Sequence, residues 1–366
     1  MPRVTVIFGT RPEYIKLALI IRRLKICWPD TEVIVTGQHY DHNMSSMFLE
    51  ELSIPPPEVV LNCHERSAST QTASILTAVA TRLEVSHPDI VLTLGDTNTT
   101  LAASLAAAQA RIPICHVEAG CRCYDMTMPE EVNRRVVDAL ASLWCVPTEA
   151  CRTNLLCEGA DERRIHVVGY TQGEVWRSVE ASIDPYPPLN QLGLERGRYV
   201  IMTIHRQENT DDIGRLNAII DSIEGIDMPV IWFSHPRTQK RIEEFGLKPR
   251  LLQMPHLQIE QPAKYLKFMA LLSNSAVVIT DSGGVQTEAA ILGIPCVVAR
   301  ERTEQTECVE AGIAILAGIN TKVIIDSVHA ASSTKTRDFK SIQVYPPLPS
   351  SELVLHALEG FWRALP

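Results

Sequence analysis

At 366 residues and 45% hydrophobic content, the chain is long for one domain and holds enough apolar material for two cores. Its 34 basic and 43 acidic residues give a formal charge of −9, which argues against nucleic acid or an anionic membrane as the main partner. Ten cysteines, none in a C-x-x-C pair, read as reduced core thiols of a cytoplasmic protein rather than as zinc ligands or a disulfide frame. Met1-Pro2-Arg3 passes straight into a strand, so no signal peptide is expected, and no apolar run is long enough to span a bilayer.

Residues 4–8 are apolar and predict a first strand. Gly9-Thr10-Arg11-Pro12-Glu13 makes the turn, Pro12 suits the first turn of a helix, and a helix follows over about 13–26. Arg11 and Lys16 can both face the end of this strand, as a phosphate clamp or as solvated surface cations. A second strand over 32–36 leads to a polar loop with His39 and His42, which as loop histidines are weak ligand candidates. Residues 44–52 read as helix, and Pro55-Pro56-Pro57 breaks the chain. A helix over about 70–85, a strand over 89–94, an alanine-rich helix through 110 and a strand over 112–117 continue the alternation. Short loops between strand and helix predict a parallel sheet covered on both faces, with ligands at the carboxyl ends of its strands. Arg11, Asp96 and Glu118 all fall there. A lone acid at a strand end is often a helix cap, an option open to Asp96 ahead of Thr97-Asn98, but three such coincidences point to a site. Glu130 and Glu131 open the next helix, where they complement its macrodipole or deliver a third acid to the same place. A strand over 143–147 follows, and Thr148 is expected to cap the helix through 158.

A first domain is expected over 1–168, with a terminal helix from 351 to 366 packing back on it, and a second, nucleotide-binding domain over 169–350. Asp184-Pro185-Tyr186-Pro187-Pro188 reads as an irregular linker, and hinges are expected near Gly169 and Ser350. The second sheet begins with a strand over 199–204 that presents His205 and Arg206, and a strand over 229–233 presents His235. A strand over 276–280 then runs into Asp281-Ser282-Gly283-Gly284 and a helix ending at Gly293. The paired glycines let a ligand approach the backbone, and the first free N–H groups of the helix favour an anion. Glu288, one turn in, is placed to accept hydrogen bonds from a sugar. This stretch alone points to a nucleotide, with a plain strand-to-helix turn as the alternative. The fold class read from the chain is α/β, two doubly wound Rossmann-like domains facing across a cleft.

Seven segments carry a resemblance. They are Gly9-Thr-Arg-Pro-Glu13 with Lys16, Gly37-Gln-His39, Gly95-Asp-Thr-Asn-Thr99, His116-Val-Glu-Ala-Gly120, Pro129-Glu-Glu-Val-Asn-Arg134, His205-Arg-Gln-Glu208 and Thr280-Asp-Ser-Gly-Gly284. In this order, over roughly 4–320, they resemble the non-hydrolysing UDP-N-acetylglucosamine 2-epimerase family, which has the GT-B architecture. The resemblance implies inversion at carbon 2 by elimination of UDP, formation of a 2-acetamidoglucal, and re-addition of UDP. Asp96, Glu118 and Glu130 match the family's catalytic acids and His205 its catalytic histidine. Arg11 and Lys16 match its phosphate-side cations, and Ser282, Gly283, Gly284 and Glu288 its UDP turn, with Glu288 on the ribose. Arg206 and His235 join the substrate-binding set. No cofactor or metal is implied; the partner is a UDP-sugar, and relatives suggest a homodimer.

The chain also departs from the family pattern. Gln305, in Thr303-Glu-Gln-Thr-Glu307, stands where the family usually has an arginine, and a neutral amide does not replace a charge-assisted phosphate contact. Gln207 replaces another frequent arginine and Thr287 a frequent glutamate. Cys121-Arg-Cys-Tyr-Asp125, Gly169-Tyr-Thr-Gln-Gly-Glu174 and His235-Pro-Arg-Thr238 look more like the branch acting on UDP-2,3-diacetamido-glucuronate or 6-deoxy-N-acetyl sugars. Readings of other classes are a GT-B glycosyltransferase, a hydrolysing epimerase, and a nucleotide-sugar binding subunit.

Overall fold

The computed structural model describes residues 1–37, 51–52, 54–63, 67–333, 339 and 342–364. His39, His42, most of the helix expected over 44–52 and most of the Gly37-Gln38-His39 segment lie outside the described residues. By its contacts the chain divides into two units, Met1–Val179 with Pro346–Pro366, and Glu180–Tyr345.

In the first unit the described strands are β1 (Val4–Phe8), β2 (Glu32–Val35), β3 (Val59–Val60), β4 (Ile90–Leu94), β5 (Ile114–Val117), β6 (Leu143–Val146) and β7 (Ile165–Val167). They pair in the order β3-β2-β1-β4-β5-β6-β7, parallel throughout. β1, β4, β5 and β6 are buried along their whole length, as a parallel sheet covered on both faces requires. The alanine-rich helix Asn98–Gln109 lays Ala102, Ala103, Ala106 and Ala107 on the core beside Ile7 and Val91, and these small side chains leave no exposed apolar bulk.

Helix Arg11–Cys27 starts at Arg11 because Thr10 and Glu13 form a capping box, with Pro12 in the first turn. Thr148 caps helix Glu149–Cys157 as expected, accepting from the Cys151 N–H at 3.2 Å. Helix Thr171–Val179 stays with the first unit, although the sequence reading put residues from Gly169 on in the second. Glu174 accepts from the Ser351 N–H at 2.6 Å, and Arg177 donates to the Leu348 carbonyl at 2.8 Å. The terminal helix Ser350–Arg363 is fastened further by Arg23, which donates to Ser351 Oγ at 3.1 Å.

In the second unit the described strands are β8 (Val200–Thr203), β9 (Val230–Phe233), β10 (Leu257–Glu260), β11 (Val277–Thr280), β12 (Cys296–Val298) and β13 (Ala314–Leu316). Their order, β10-β9-β8-β11-β12-β13, repeats the pattern of the first sheet, again all parallel. Val200, Met202, Trp232 and Ile279 share its core with Leu216 and Ile220 from helix Ile213–Glu224. The α/β class with two doubly wound, Rossmann-like units is the one expected.

Two local readings are corrected. The stretch read as an irregular linker enters a helix, Tyr186–Leu192, whose Pro187 and Pro188 fall in the first turn, where a missing N–H costs no intrahelical bond. Cys27 and Cys157 are exposed rather than core thiols, since each is the last residue of its helix; the other eight are buried, and none of the ten is in a disulfide.

Gly120 and Gly159 both have positive φ, 78° and 89°, but a Cβ at Gly120 would strike the Cys151 carbonyl whereas one at Gly159 meets nothing within 4 Å. Gly159→Ala is therefore expected to cost about 1 kcal/mol, the left-handed penalty alone, and Gly120→Ala about 3 kcal/mol or more because backbone must also move. Urea unfolding of the two variants measures the difference.

Candidate active site

In each sheet the order of strands reverses once, between β1 and β4 and between β8 and β11. Doubly wound sheets bind ligands outside the carboxyl ends of strands at such a point. In the first unit Arg11 and Lys16 follow β1, Asp96 follows β4 and Glu118 follows β5; in the second His205 and Arg206 follow β8, and Asp281 to Gly284 follow β11. The two groups of expected site residues are thus built on equivalent positions of two sheets.

Around β4 and β5 the structure brings three of them together. Lys16 Nζ lies 2.6 Å from Glu118 Oε2. Burial alone would push Lys16 down, but the charges of Glu118 and Asp96 outweigh it and hold the amine above its ordinary value. Asp96 is no helix cap: Thr97 caps Asn98–Gln109 by accepting from the Thr100 N–H, and Asp96 Oδ2 is held 2.6 Å from Arg134 Nη2. The other arm of Arg134 reaches Glu131 Oε2 at 2.7 Å. Glu131, fully buried, also accepts from the N–H groups of Cys123 and Tyr124 at 3.1 Å each. Of the two acids opening helix Pro129–Leu140, Glu131 therefore anchors the preceding loop, while Glu130 stands half-buried in the first turn. Arg11, half-buried, opens its helix beside the capping pair. Glu13 accepts from the Gly9 and Thr10 N–H groups at 3.1 and 2.7 Å and from Thr97 Oγ1 at 2.9 Å, which joins the turn after β1 to the turn after β4.

The second group is organised by Asp281, which is fully buried. Its carboxylate accepts from the His205 N–H at 3.0 Å, the Arg206 N–H at 2.9 Å and Asn209 Nδ2 at 3.0 Å. The His205 ring, 38% exposed, has Nδ1 3.3 Å from the same carboxylate. Its centroid is 6.0 Å from that of His235. His235 also caps helix Pro236–Glu244, Nδ1 accepting from the Arg237 N–H at 3.2 Å. Helix Gly283–Leu292 begins directly after Ser282, whose side chain makes no capping bond. A Cβ on Gly283 would run into the Glu304 carboxylate, so an anion of the chain itself lies against this helix start. Arg300, buried, pairs with Glu304 at 3.0 Å and lies 3.5 Å from Glu208. Glu288 is half-buried in the second turn; its charge adds to burial in raising the Tyr265 hydroxyl well above its ordinary value.

The sequence profile of the UDP-N-acetylglucosamine 2-epimerase family matches residues 27–359. The chain belongs to that family. It is 40% identical over 347 residues to the UDP-N-acetylglucosamine 2-epimerase of Methanocaldococcus jannaschii, covering 93% of this chain and 94% of the relative. The crystal structure of the M. jannaschii UDP-GlcNAc 2-epimerase in complex with UDP-GlcNAc and UDP matches with a TM-score of 0.90 at 37% identity, over 99% of this chain and 100% of that one. The UDP-2,3-diacetamido-2,3-dideoxy-D-glucuronate 2-epimerase of Pseudomonas aeruginosa is 36% identical over 341 residues, 92% of this chain and 94% of the relative. The two Rossmann-like units are of the GT-B type. Among the described residues no group of three or more His, Cys, Asp or Glu is placed to hold a metal, and no helix is long and apolar enough to cross a membrane.

In this family setting the departure at Gln305 has a defined place. Its side chain is buried; the side-chain amide oxygen accepts from the Tyr345 hydroxyl at 2.7 Å, and the Gln305 backbone N–H donates to Thr303 Oγ1 at 3.1 Å. The sequence reading held Glu13, Arg134 and Asp281 within its matching segments and Glu131 among the acids of a helix start, but gave none of the four a role of its own. The signal available for Asp281 was its position directly after the β11 run, and for Arg134 a cation within the same short segment as Glu130.

Arg134 is 2% exposed and Glu131 fully buried, so removing the guanidinium strands a buried carboxylate. Arg134→Met is expected to cost roughly 3–5 kcal/mol in urea unfolding, with Arg134→Lys restoring only part because one ammonium does not span both acids.

Proposed function

We propose that this chain is a non-hydrolysing 2-epimerase of a UDP-N-acetylated hexose, interconverting UDP-N-acetylglucosamine and UDP-N-acetylmannosamine. The observation that carries the reading is the gathering of Asp96 and Glu118 with Lys16 and Arg134 at the ends of β4 and β5, in a chain 40% identical to a named epimerase.

The chemistry follows from the substrate. Carbon 2 has no carbonyl neighbour, so its proton is not acidic enough for direct abstraction. Elimination solves this: a base takes the C2 proton, the C–H electron pair becomes the C1–C2 double bond, and the C1–O bond breaks with its pair leaving on UDP. The 2-acetamidoglucal then takes a proton on the opposite face of carbon 2, and UDP oxygen re-forms the bond to carbon 1. Departure of UDP builds positive charge on the ring, which Asp96, Glu118 and Glu130 stabilise, and acid–base groups move the proton. His205 faces the diphosphate or assists proton transfer. Arg11 and Lys16 take the phosphate charge. Arg206, His235, Ser282, Gly283 and Gly284 hold UDP, with Glu288 on the ribose.

Proton NMR of UDP-N-acetylglucosamine with the protein in deuterated water tests this. UDP-N-acetylmannosamine should appear with deuterium at carbon 2, and Glu118→Gln should lower kcat by about a thousandfold. Free N-acetylmannosamine would instead identify a hydrolysing enzyme. The similarity to the P. aeruginosa relative favours one second reading, the same reaction on UDP-2,3-diacetamido-glucuronate; exchange on that sugar alone selects it.

We also infer a cytoplasmic homodimer. Ten cysteines outside any disulfide support a reducing compartment. Tyr124, Met126, Val132 and Val136 are exposed large apolar residues, and Arg135 Nη1 lies 3.6 Å from Met126 Sδ, so the loop lies beside the helix that carries the two valines. Sedimentation of wild type should give the dimer mass and of Val136→Glu the monomer mass; a monomeric wild type rejects the inference.

A further inference from the structure

His116 belongs to none of the proposed catalytic or binding groups, and it is fully buried beneath them. It is the third residue of β5, two before Glu118. Its Nδ1 lies 2.7 Å from Asp138 Oδ1, and its Nε2 lies 2.8 Å from the Gly95 carbonyl oxygen. A carbonyl only accepts, so Nε2 carries a hydrogen. The Asp138 carboxylate, on helix Pro129–Leu140, has its other oxygen filled by donors as well: the Gly120 N–H at 3.0 Å and Arg122 Nη1 at 2.7 Å. Arg122 is also paired with Glu158, at 2.6 Å. Burial by itself would raise Asp138; His116, Arg122 and the Gly120 N–H outweigh it, leaving the carboxyl below its ordinary value. An ionised Asp138 accepts from the ring, so Nδ1 carries a hydrogen too. Both ring nitrogens face acceptors, and the chain Glu158–Arg122–Asp138–His116 has two charges of each sign.

Two members of this chain reach the proposed catalytic loops: His116 at Gly95, directly before Asp96, and Asp138 at Gly120, two residues after Glu118. Glu118 itself sits at φ 63°, a left-handed conformation that a non-glycine residue keeps only when its surroundings enforce it. We propose that His116 is a buried imidazolium that, with Asp138, acts as a positioning pair, clamping the loops of Asp96 and Glu118 at one fixed separation. This rests on the epimerase reading for the role of those two acids, but the protonation state does not. Proteins often orient reacting groups through such outer hydrogen bonds, and removing one typically lowers activity by about 10–100-fold.

The groups facing the ring are Asp138 from its helix, Arg122 and Glu158 behind Asp138, and the Gly95 carbonyl from the turn after β4. No carboxylate or thiol other than Asp138 hydrogen-bonds to it in the structure's contacts among the described residues. The test uses the whole chain labelled with 15N-histidine. One of the eleven histidines should show two slowly exchanging ring N–H protons, because both of its ring nitrogens face buried acceptors. His116→Gln should remove that pair of signals. If that variant does not fold, Asp138→Asn should convert the pair to a single ring proton. A wild-type spectrum with no doubly protonated ring overturns the proposal, whatever the substrate proves to be.

The kinetic arm asks for a split. Asp138→Asn should lower kcat for carbon-2 exchange by about 10–100-fold while KM stays within about threefold, because the displaced loops hold the acids and not the nucleotide. An unchanged kcat, or a loss confined to KM, rejects positioning. A wild type inactive on every UDP-sugar would reject the epimerase reading and leave the ring measurement to decide the imidazolium.

Discussion

A carboxylate taken out of water must be met by a cation or by several N–H donors, and that requirement shapes the ends of both sheets. Glu131 and Asp138 are met by Arg134, Arg122 and His116, with backbone N–H groups taking the remaining lone pairs. Asp281 is met almost wholly by N–H groups, from His205, Arg206 and Asn209. Each solution draws a loop inward and fixes its path. Asp96, partly exposed, and Glu118, buried, are flanked by Gly95 and Gly120, whose backbone is tied down by His116 and Asp138.

The two sheets share a strand order and differ in what they place at the reversal. The first collects ionic side chains, Lys16, Glu118, Asp96 and Arg134, whose charges respond to charge in a ligand. The second offers a helix start with no side-chain cap, at Ser282, Gly283 and Gly284. A helix terminus with free N–H groups suits a phosphate irrespective of its exact protonation. A cluster of acids and bases suits proton movement. The same scaffold, used twice, thus presents two different chemistries.

Much of this was legible in the chain because parallel strands buried on both faces are written as unbroken apolar runs: β1, β4 and β11 appear as Val4–Phe8, Ile90–Leu94 and Val277–Thr280. Polar residues directly after those runs were legible as site candidates for the same reason. Their partners were not. Arg134 meets Asp96 across 38 residues and His205 meets Asp281 across 76, and nothing local in either segment specifies the pairing. Asp96 illustrates the limit: its neighbours allowed a cap, but Thr97 takes that place and Asp96 turns instead to Arg134 on a distant helix. Prolines misled in the opposite direction, since Pro187 and Pro188 were read as an interruption although a first helical turn accommodates them. Gln305 could be recognised as a departure, but its bond to Tyr345 belongs to the fold alone.

The first unit is made from two separate stretches, Met1–Val179 and Pro346–Pro366, whereas the second is one continuous stretch. A ribosome delivers the chain from its amino end, and domains generally fold as units once their residues are available. Glu174 and Arg177 therefore lack their partners, Ser351 and Leu348, until 177 and 171 further residues have been made. The continuous second unit has all of its residues earlier, so the half of the protein that begins first is the half that is completed last. A nascent chain halted after residue 345 would carry all of the second unit attached to a first unit whose helix Ser350–Arg363 has yet to be made.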